Sequence, residues 1–220
     1  MNDTALILDG IDAVLFDMDG TLIDSMWIWR DIDDEFLSQH GFKNDLLHED
    51  GIEGMSFDET AAYFKEYYNL NESLQEIKDR WNAMAYERYS EIVDFKKGAQ
   101  EFLEKCLSES KKMAVATSNS RALVEAAGKR LGFNKYFDAV ITSDEIIYGK
   151  PAPDVYLKAA SEISIEPDRC LVFEDLCQGI KAGKAAGMKV CAVDDIYSHA
   201  QKDRKKELAD YFIDDYFDII

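Results

Sequence analysis

The sequence predicts an α/β fold: a Rossmann-like parallel sheet core with an inserted all-helical cap domain. Three observations predict it. Short apolar runs ending in polar residues alternate with amphipathic segments from residue 96 to residue 220. Alternation of strand and helix implies a parallel sheet with helices on both sides. One further apolar run, Ala13–Phe16, stands near the N-terminus, and residues 24–95 after it show helical periodicity and no convincing strand. The chain therefore divides into a core of residues 1–23 and 96–220, built from both chain ends, and a helical cap of residues 24–95.

The first strand ends in Asp17-Met18-Asp19-Gly20-Thr21. Side chains two apart in an extended segment point the same way, so Asp17 and Asp19 should project together from its carboxyl end. Open α/β sheets place their ligands at that edge. Two adjacent carboxylates resist joint ionisation unless a cation offsets them, and a hard oxygen-ligated ion, Mg²⁺ above all, suits them. The alternative is a strand-ending turn with solvated acids.

In the cap, Ile28, Ile32 and Phe36 repeat at helical spacing and Gly41 is a helix stop. Ser56 and Glu59 form a capping box before a helix with Thr60, Tyr63, Phe64 and Tyr67 on one face, closed near Asn69. Asn71 or Ser73 caps a longer helix with a stripe of Leu74, Ile77, Trp81, Met84, Ala85, Arg88 and Ile92. Its many aromatics read as the cap's own core rather than a ligand cage. Crossings near Leu22–Ser25 and Asp94–Gly98 make a plausible hinge.

In the core, a helix over Gly98–Ser108 precedes the strand Met113–Ala116, which runs into Thr117, Ser118 and Asn119. A helix follows to Leu131, which Gly132 can close, then a strand at Ala139–Ile141 and a loop carrying Lys150. A helix begins at Val155, and the strand Cys170–Phe173 ends in Glu174-Asp175. Gly179, Ala182, Gly183, Ala186 and Gly187 give the next helix a face of small residues that can lie close on a sheet. Val190–Val193 and Tyr211–Ile213 read as closing strands, and Lys202, Arg204, Lys205 and Lys206 as a solvated helix face.

Four polar groups thus fall at one edge of a parallel sheet: Asp17 with Asp19, Thr117 with Ser118 and Asn119, Lys150, and Glu174 with Asp175. Taken singly, Thr117, Ser118 and Asp175 could be helix caps and Lys150 a surface lysine. Together they hold what phosphoryl transfer needs: a carboxylate nucleophile, a second acid, a metal site, a cation and hydrogen-bond donors.

Here the chain resembles the haloacid dehalogenase superfamily of aspartyl phosphotransferases. Asp17-Met18-Asp19-Gly20-Thr21 resembles its first motif and Thr117 its second. Lys150 in Gly-Lys-Pro-Ala-Pro-Asp resembles the third, and Phe173-Glu174-Asp175 the fourth. The small-residue segment from Gly179 to Gly187 points to the β-phosphoglucomutase-like phosphatase branch, whose members carry a helical cap after the first motif. The resemblance implies that Asp17 is nucleophile and metal ligand. It implies that Asp19 is general acid and base and ligates the metal through its backbone carbonyl. Thr117, with the amides of Met18, Asp19 and Ser118, would hold the phosphoryl oxygens, and Asn119 would be a further phosphate-binding residue. Lys150 would bridge nucleophile and phosphate, and Glu174 and Asp175 would complete the Mg²⁺ shell. Dehalogenases and phosphonatases of the superfamily lack an acid at the Asp19 position. The mutase's cap histidine and arginine align here with Trp29 and Phe57.

The expected function is a Mg²⁺-dependent phosphatase of a small phosphorylated metabolite. A phosphosugar mutase is the alternative, and a non-catalytic phosphate-binding regulator the third reading, which Asp19 speaks against. Trp27, Trp29, Arg30, Met55, Phe57, Arg80 and Trp81 are candidate cap contacts. The net charge is −19, from 44 acidic and 25 basic residues, which argues against nucleic acid or an anionic membrane as partner. The four cysteines form no C-x-x-C pair and sit in apolar segments, as buried free thiols of a reducing compartment do. No signal peptide or membrane span is legible, so the cytoplasm is the expected location. The expected assembly is a monomer or weak oligomer.

Overall fold

The computed structural model describes residues 7–43 and 57–220, with only the backbone for residues 57–59. In chain order the elements are β1 (Ala13–Phe16), β2 (Ile23–Asp24), α1 (Met26–Gln39), α2 (Phe57–Tyr67), α3 (Leu74–Glu91) and β3 (Asp94–Phe95). Then come α4 (Ala99–Ser108), β4 (Lys112–Ala116), α5 (Arg121–Leu131), β5 (Ala139–Ile141), α6 (Asp154–Glu162) and β6 (Cys170–Glu174). The chain closes with α7 (Cys177–Ala185), β7 (Lys189–Val193), α8 (Lys202–Leu208) and β8 (Tyr211–Ile213).

Six strands form one sheet in the order β5-β4-β1-β6-β7-β8, all pairs parallel. The first strand is central: Phe16 lies opposite Val115 of β4 and Phe173 of β6, so three strands end side by side. Period-two alternation sorts their side chains onto two cores. Val14 and Phe16 join one cluster with Phe102 of α4 and Tyr216, where Phe16 stacks on Phe173 at 5.3 Å. Ala13 and Leu15 join the other, with Val155, Tyr156 and Ala159 of α6 and Ile180 of α7. The small residues of α7 allow its approach: a Cβ on Gly183 would stand 2.8 Å from Val190 Cγ2.

Helices α1, α2 and α3 pack around Phe36, Phe64 and Trp81, where the indole meets both phenyl rings edge to face, that of Phe64 at 4.9 Å. The expected first helix buries Ile28, Ile32 and Phe36, and Gly41 ends it at φ +80°. Ser73 is the cap of α3, in a full capping box with Glu76. The Ser56–Glu59 box and Met55 lie outside the described residues, as does the side chain of Phe57. Three expectations need correction. The buried face of α2 runs through Ala61 and Phe64 towards Tyr68 just beyond its end, and Tyr67 is exposed. That of α3 runs through Ile77, Trp81, Ala85 and Tyr89, while Leu74 and Ile92 are exposed at the helix ends. Finally, strand does occur at the edges of the helical segment, where β2 pairs with β3 antiparallel over two residues each, too short to leave a periodicity.

All four cysteines are buried and free. Among the described residues no helix is long and apolar enough to cross a membrane.

Candidate active site

The ends of β1, β4 and β6 and the loop after β5 meet in a cleft of about 1050 Å³ lined by Asp17, Asp19, Thr117, Ser118, Asn119, Lys150 and Glu174. Asp17 follows β1 directly and is held by the bond from its N–H to the Phe173 carbonyl, 3.0 Å. The Lys150 ammonium reaches back from its loop and donates to Asp17 Oδ1 and Glu174 Oε1, both at 2.6 Å, and to the Ala116 carbonyl at 3.3 Å. It lies 5.0 Å over the Tyr156 ring, whose hydroxyl donates to Glu174 Oε1 at 2.9 Å. Leu176 N–H donates to the other Glu174 oxygen at 3.1 Å. Burial pulls the Lys150 ammonium down, but Asp17 and Glu174 outweigh it and hold it above its ordinary range. Burial pushes the Asp17 carboxyl up to about 7, with Lys150 opposing and Glu174 adding to the rise. Burial, then Glu174 and Asp17, push Asp175 up as well.

Oxygens of Asp17, Glu174 and Asp175 all lie within 4.8 Å of one another. Among the described residues this is the one cluster of its kind. An all-oxygen, carboxylate donor set suits a hard divalent cation, not zinc. One ammonium faces three buried carboxylates, an excess of acid that such an ion would offset. Asp175 is oriented by Thr21 Oγ1, donating at 3.1 Å, and by Ser198 Oγ, donating at 3.2 Å. Gly20 passes close at φ +75°, where a Cβ would stand 2.7 Å from Asp175 Oδ2. Glycine is required there twice over, for the angle and for the space. Asp175 itself caps no helix; the cap position before α7 is Leu176.

Asp19 lines the same cleft, but its carboxylate is held from a different side. Ser25 Oγ donates to Oδ1 at 2.6 Å, the Tyr89 hydroxyl of α3 donates to the same oxygen, and Asn119 Nδ2 donates to Oδ2 at 2.9 Å. Thr117 is buried and its Oγ1 accepts from Asn119 N–H at 3.0 Å, so it braces the loop after β4. The cap position of α5 falls to Ser120, not to Thr117 or Ser118.

A model of the haloacid dehalogenase-like hydrolases matches residues 14–193, a span that holds all of these strand ends. The chain belongs to the haloacid dehalogenase-like hydrolase family. It is 35% identical over 82% of its length to a bifunctional riboflavin kinase/FMN phosphatase of Arabidopsis thaliana, of which it spans 48%. It is 30% identical to a phosphorylated carbohydrates phosphatase of Thermotoga maritima, over 81% of this chain and 83% of that one. The structure of a candidate β-phosphoglucomutase from Thermotoga maritima superimposes with a TM-score of 0.77 at 27% identity, over 92% of this chain and 94% of that one. These likenesses put the hydrolase in the phosphatase, β-phosphoglucomutase-like branch of the family.

Within this haloacid dehalogenase-like chain, several site residues escape the sequence reading, among them Tyr89, Tyr156, Ser198 and Lys205. Tyr89 and Tyr156 sit on helical faces that periodicity marks only as core. Lys205 corrects an expectation. The sequence places it on a solvated face, yet it is fully buried and donates to Ser198 Oγ at 3.0 Å and the Val193 carbonyl at 3.2 Å. Of the candidate cap contacts, Trp29 lines the cleft, whereas Trp81 is core and Arg80 is tied to Glu72 at 3.1 Å. Trp27 donates to the Asp24 carbonyl at 2.9 Å. Met26 and Asn82 line the cleft without having been singled out.

Proposed function

We propose that the chain is a Mg²⁺-dependent phosphatase that hydrolyses a small phosphorylated metabolite, a sugar phosphate or a similar ester, through an aspartyl-phosphate on Asp17. The observation that carries this is the Lys150 ammonium, 2.6 Å from both Asp17 and Glu174 at the end of the central strand. It keeps a buried carboxylate available as nucleophile and lets an anion approach it. Asp17, Glu174 and Asp175, with the Asp19 carbonyl, would hold Mg²⁺, which neutralises developing charge on the phosphoryl group. Thr117 and the amides of Met18, Asp19 and Ser118 would hold the phosphoryl oxygens. Asp17 attacks phosphorus, the ester oxygen leaves, and Asp19 gives that oxygen its proton. Asp19 then takes a proton from water, which attacks the same phosphorus and returns Asp17 as carboxylate. The T. maritima and A. thaliana relatives support the phosphatase class.

In this reading the core is residues 1–23 and 96–220 and the cap residues 24–95, which closes over the cleft to exclude bulk water. The purified protein should release phosphate from some members of a panel of phosphate esters with Mg²⁺ and from none in excess chelator. Asp17→Asn should abolish release while the fold persists. Primer-dependent conversion of glucose 1-phosphate to glucose 6-phosphate, with little free phosphate, would replace the phosphatase by a mutase.

A further inference from the structure

We infer that the cleft selects phosphate monoesters whose remaining body carries no second anionic group, with Trp29 and Asn82 facing that uncharged body. The inference rests on the phosphatase reading and narrows its substrate class. Four carboxylates line the cleft, Asp17, Asp19, Asp144 and Glu174, and Lys150 is the one cation among the described lining residues. Lys150 is already committed to two carboxylates and its side chain is 9% exposed, so it cannot swing out to a distant anion. A divalent cation in the acidic cluster would not change this. Its two charges and that of Lys150 are matched by Asp17, Glu174 and Asp175, so the phosphate it holds leaves no positive field for a second anion.

No arginine or lysine of the helical segment is among the described residues that line the cleft. Arg80 is paired with Glu72, Arg88 with Glu35 at 2.6 Å, and Lys65 donates to the Leu70 carbonyl at 3.0 Å. Residues 44–59 contain no lysine or arginine and six acids, so wherever they lie they add negative charge. What the cleft offers beyond the phosphate end is uncharged: Asn82, Gln178 and Ser120 for hydroxyl groups, and Met26, Trp29 and Leu176 for an apolar or sugar-ring face. Trp29 is steadied edge-on against Tyr89, ring centroids 6.4 Å apart. Indole and amide groups offer a polyol an apolar face with neutral donors and acceptors, and bring no positive charge to a second anion. A second phosphate or carboxylate on the substrate would meet carboxylates at close range in a site of reduced dielectric.

Matched pairs test this: glucose 6-phosphate against glucose 1,6-bisphosphate, and glycerol 3-phosphate against 3-phosphoglycerate. Free Mg²⁺ and ionic strength are held constant. The readouts are kcat/KM for the wild type and calorimetric affinity for Asp17→Asn, which reports binding with or without turnover. The neutral-bodied member of each pair is expected to win by about tenfold or more in both readouts. Asn82→Arg, or Gln178→Lys as a second variant, should narrow the gap by improving the anionic member selectively. Equal or better handling of the anionic members overturns the inference, as does a variant that shifts both members alike. Preferential binding of neutral members without hydrolysis of any ester would leave the selection standing and remove the phosphatase reading.

Discussion

Tyr89 of α3 donates its hydroxyl to the Asp19 carboxylate, joining the helical segment to the turn that follows the central strand. The phenol is fully buried, and burial and the adjacent carboxylate push its own ionisation well up, so it remains a donor across the working pH range. Asp19 is thereby held by Tyr89 of α3 and by Asn119, outside the three-carboxylate cluster.

The two partners should separate kinetically. Asp19→Asn removes the proposed proton donor and is expected to lower kcat by about 10²–10⁴. Tyr89→Phe leaves Ser25 and Asn119 on the carboxylate and should stay within about tenfold of wild type. Steady-state kcat for both, beside circular dichroism, checks this. Equal losses in the two variants would mean that Asp19 acts through its contact with Tyr89 rather than as acid and base.

Gly179 tests the packing beneath the site. A Cβ there would fall 1.5 Å from Glu174 Oε1, an oxygen already fixed by Lys150 and Tyr156. Gly179→Ala is expected to cost about 1–3 kcal/mol of stability by overpacking and to impair activity by displacing Glu174. Gly149→Ala, where no atom lies within 4 Å of the new Cβ, should change stability by less than about 0.5 kcal/mol. Urea unfolding curves compare the two.

Much of this was legible in the sequence, for identifiable reasons. The apolar run Ala13–Phe16 ending in Asp17 placed the central strand, and the polar groups after each later strand placed the cleft edge, because parallel strands must end together. Gly41 and Gly132 marked helix ends correctly, at φ +80° and +73°. What stayed hidden depends on contacts between residues far apart in sequence. Nothing near Lys205 tells that Ser198 and the Val193 carbonyl will enclose it, so its neighbours Arg204 and Lys206 made it look solvated. Tyr89 lies one step from Arg88, and the stripe read through Ala85, Arg88 and Ile92 passes it by. The two-residue strands β2 and β3 are fixed by their pairing, not by pattern.

Asp17 gives the metal-free protein a defined pH dependence. Its ordinary value is 3.8 and burial in the folded chain raises it to about 7. An acid raised in this way holds its proton more tightly when folded than when unfolded. Its contribution to stability is therefore greatest when protonated and declines as pH rises from about 4 to about 7. In chelator, the melting temperature of wild type should fall relative to Asp17→Asn across that window. Apparent Mg²⁺ affinity, measured calorimetrically, should climb over the same range as the competing proton leaves. A melting difference independent of pH would show that Asp17 is ionised throughout.

The last prediction concerns the chain of contacts behind Asp175. Lys205 Nζ donates to Ser198 Oγ at 3.0 Å, and Ser198 Oγ donates to Asp175 Oδ2 at 3.2 Å. Asp194 lies 3.8 Å from the same ammonium. Burial pulls the Lys205 ammonium down, opposed by Asp175, Asp194 and Asp195. The two links should respond differently to removal. Lys205→Met fills the volume but leaves the Val193 carbonyl without this donor, and is expected to cost about 1–3 kcal/mol of stability. Ser198→Ala removes a donor that orients Asp175 directly, leaving Thr21 as the side-chain donor to that carboxylate among the described residues. Groups that orient a metal ligand are typically worth about 10–100-fold in metal affinity, so the Mg²⁺ concentration at half-maximal activity should rise by at least about tenfold. Calorimetric Mg²⁺ binding should weaken in parallel, while kcat at saturating Mg²⁺ stays near wild type because Ser198 touches neither nucleophile nor phosphate. A Ser198→Ala protein with unchanged Mg²⁺ affinity would show that Thr21 suffices to hold Asp175 and that the Lys205–Ser198 pair serves the fold alone.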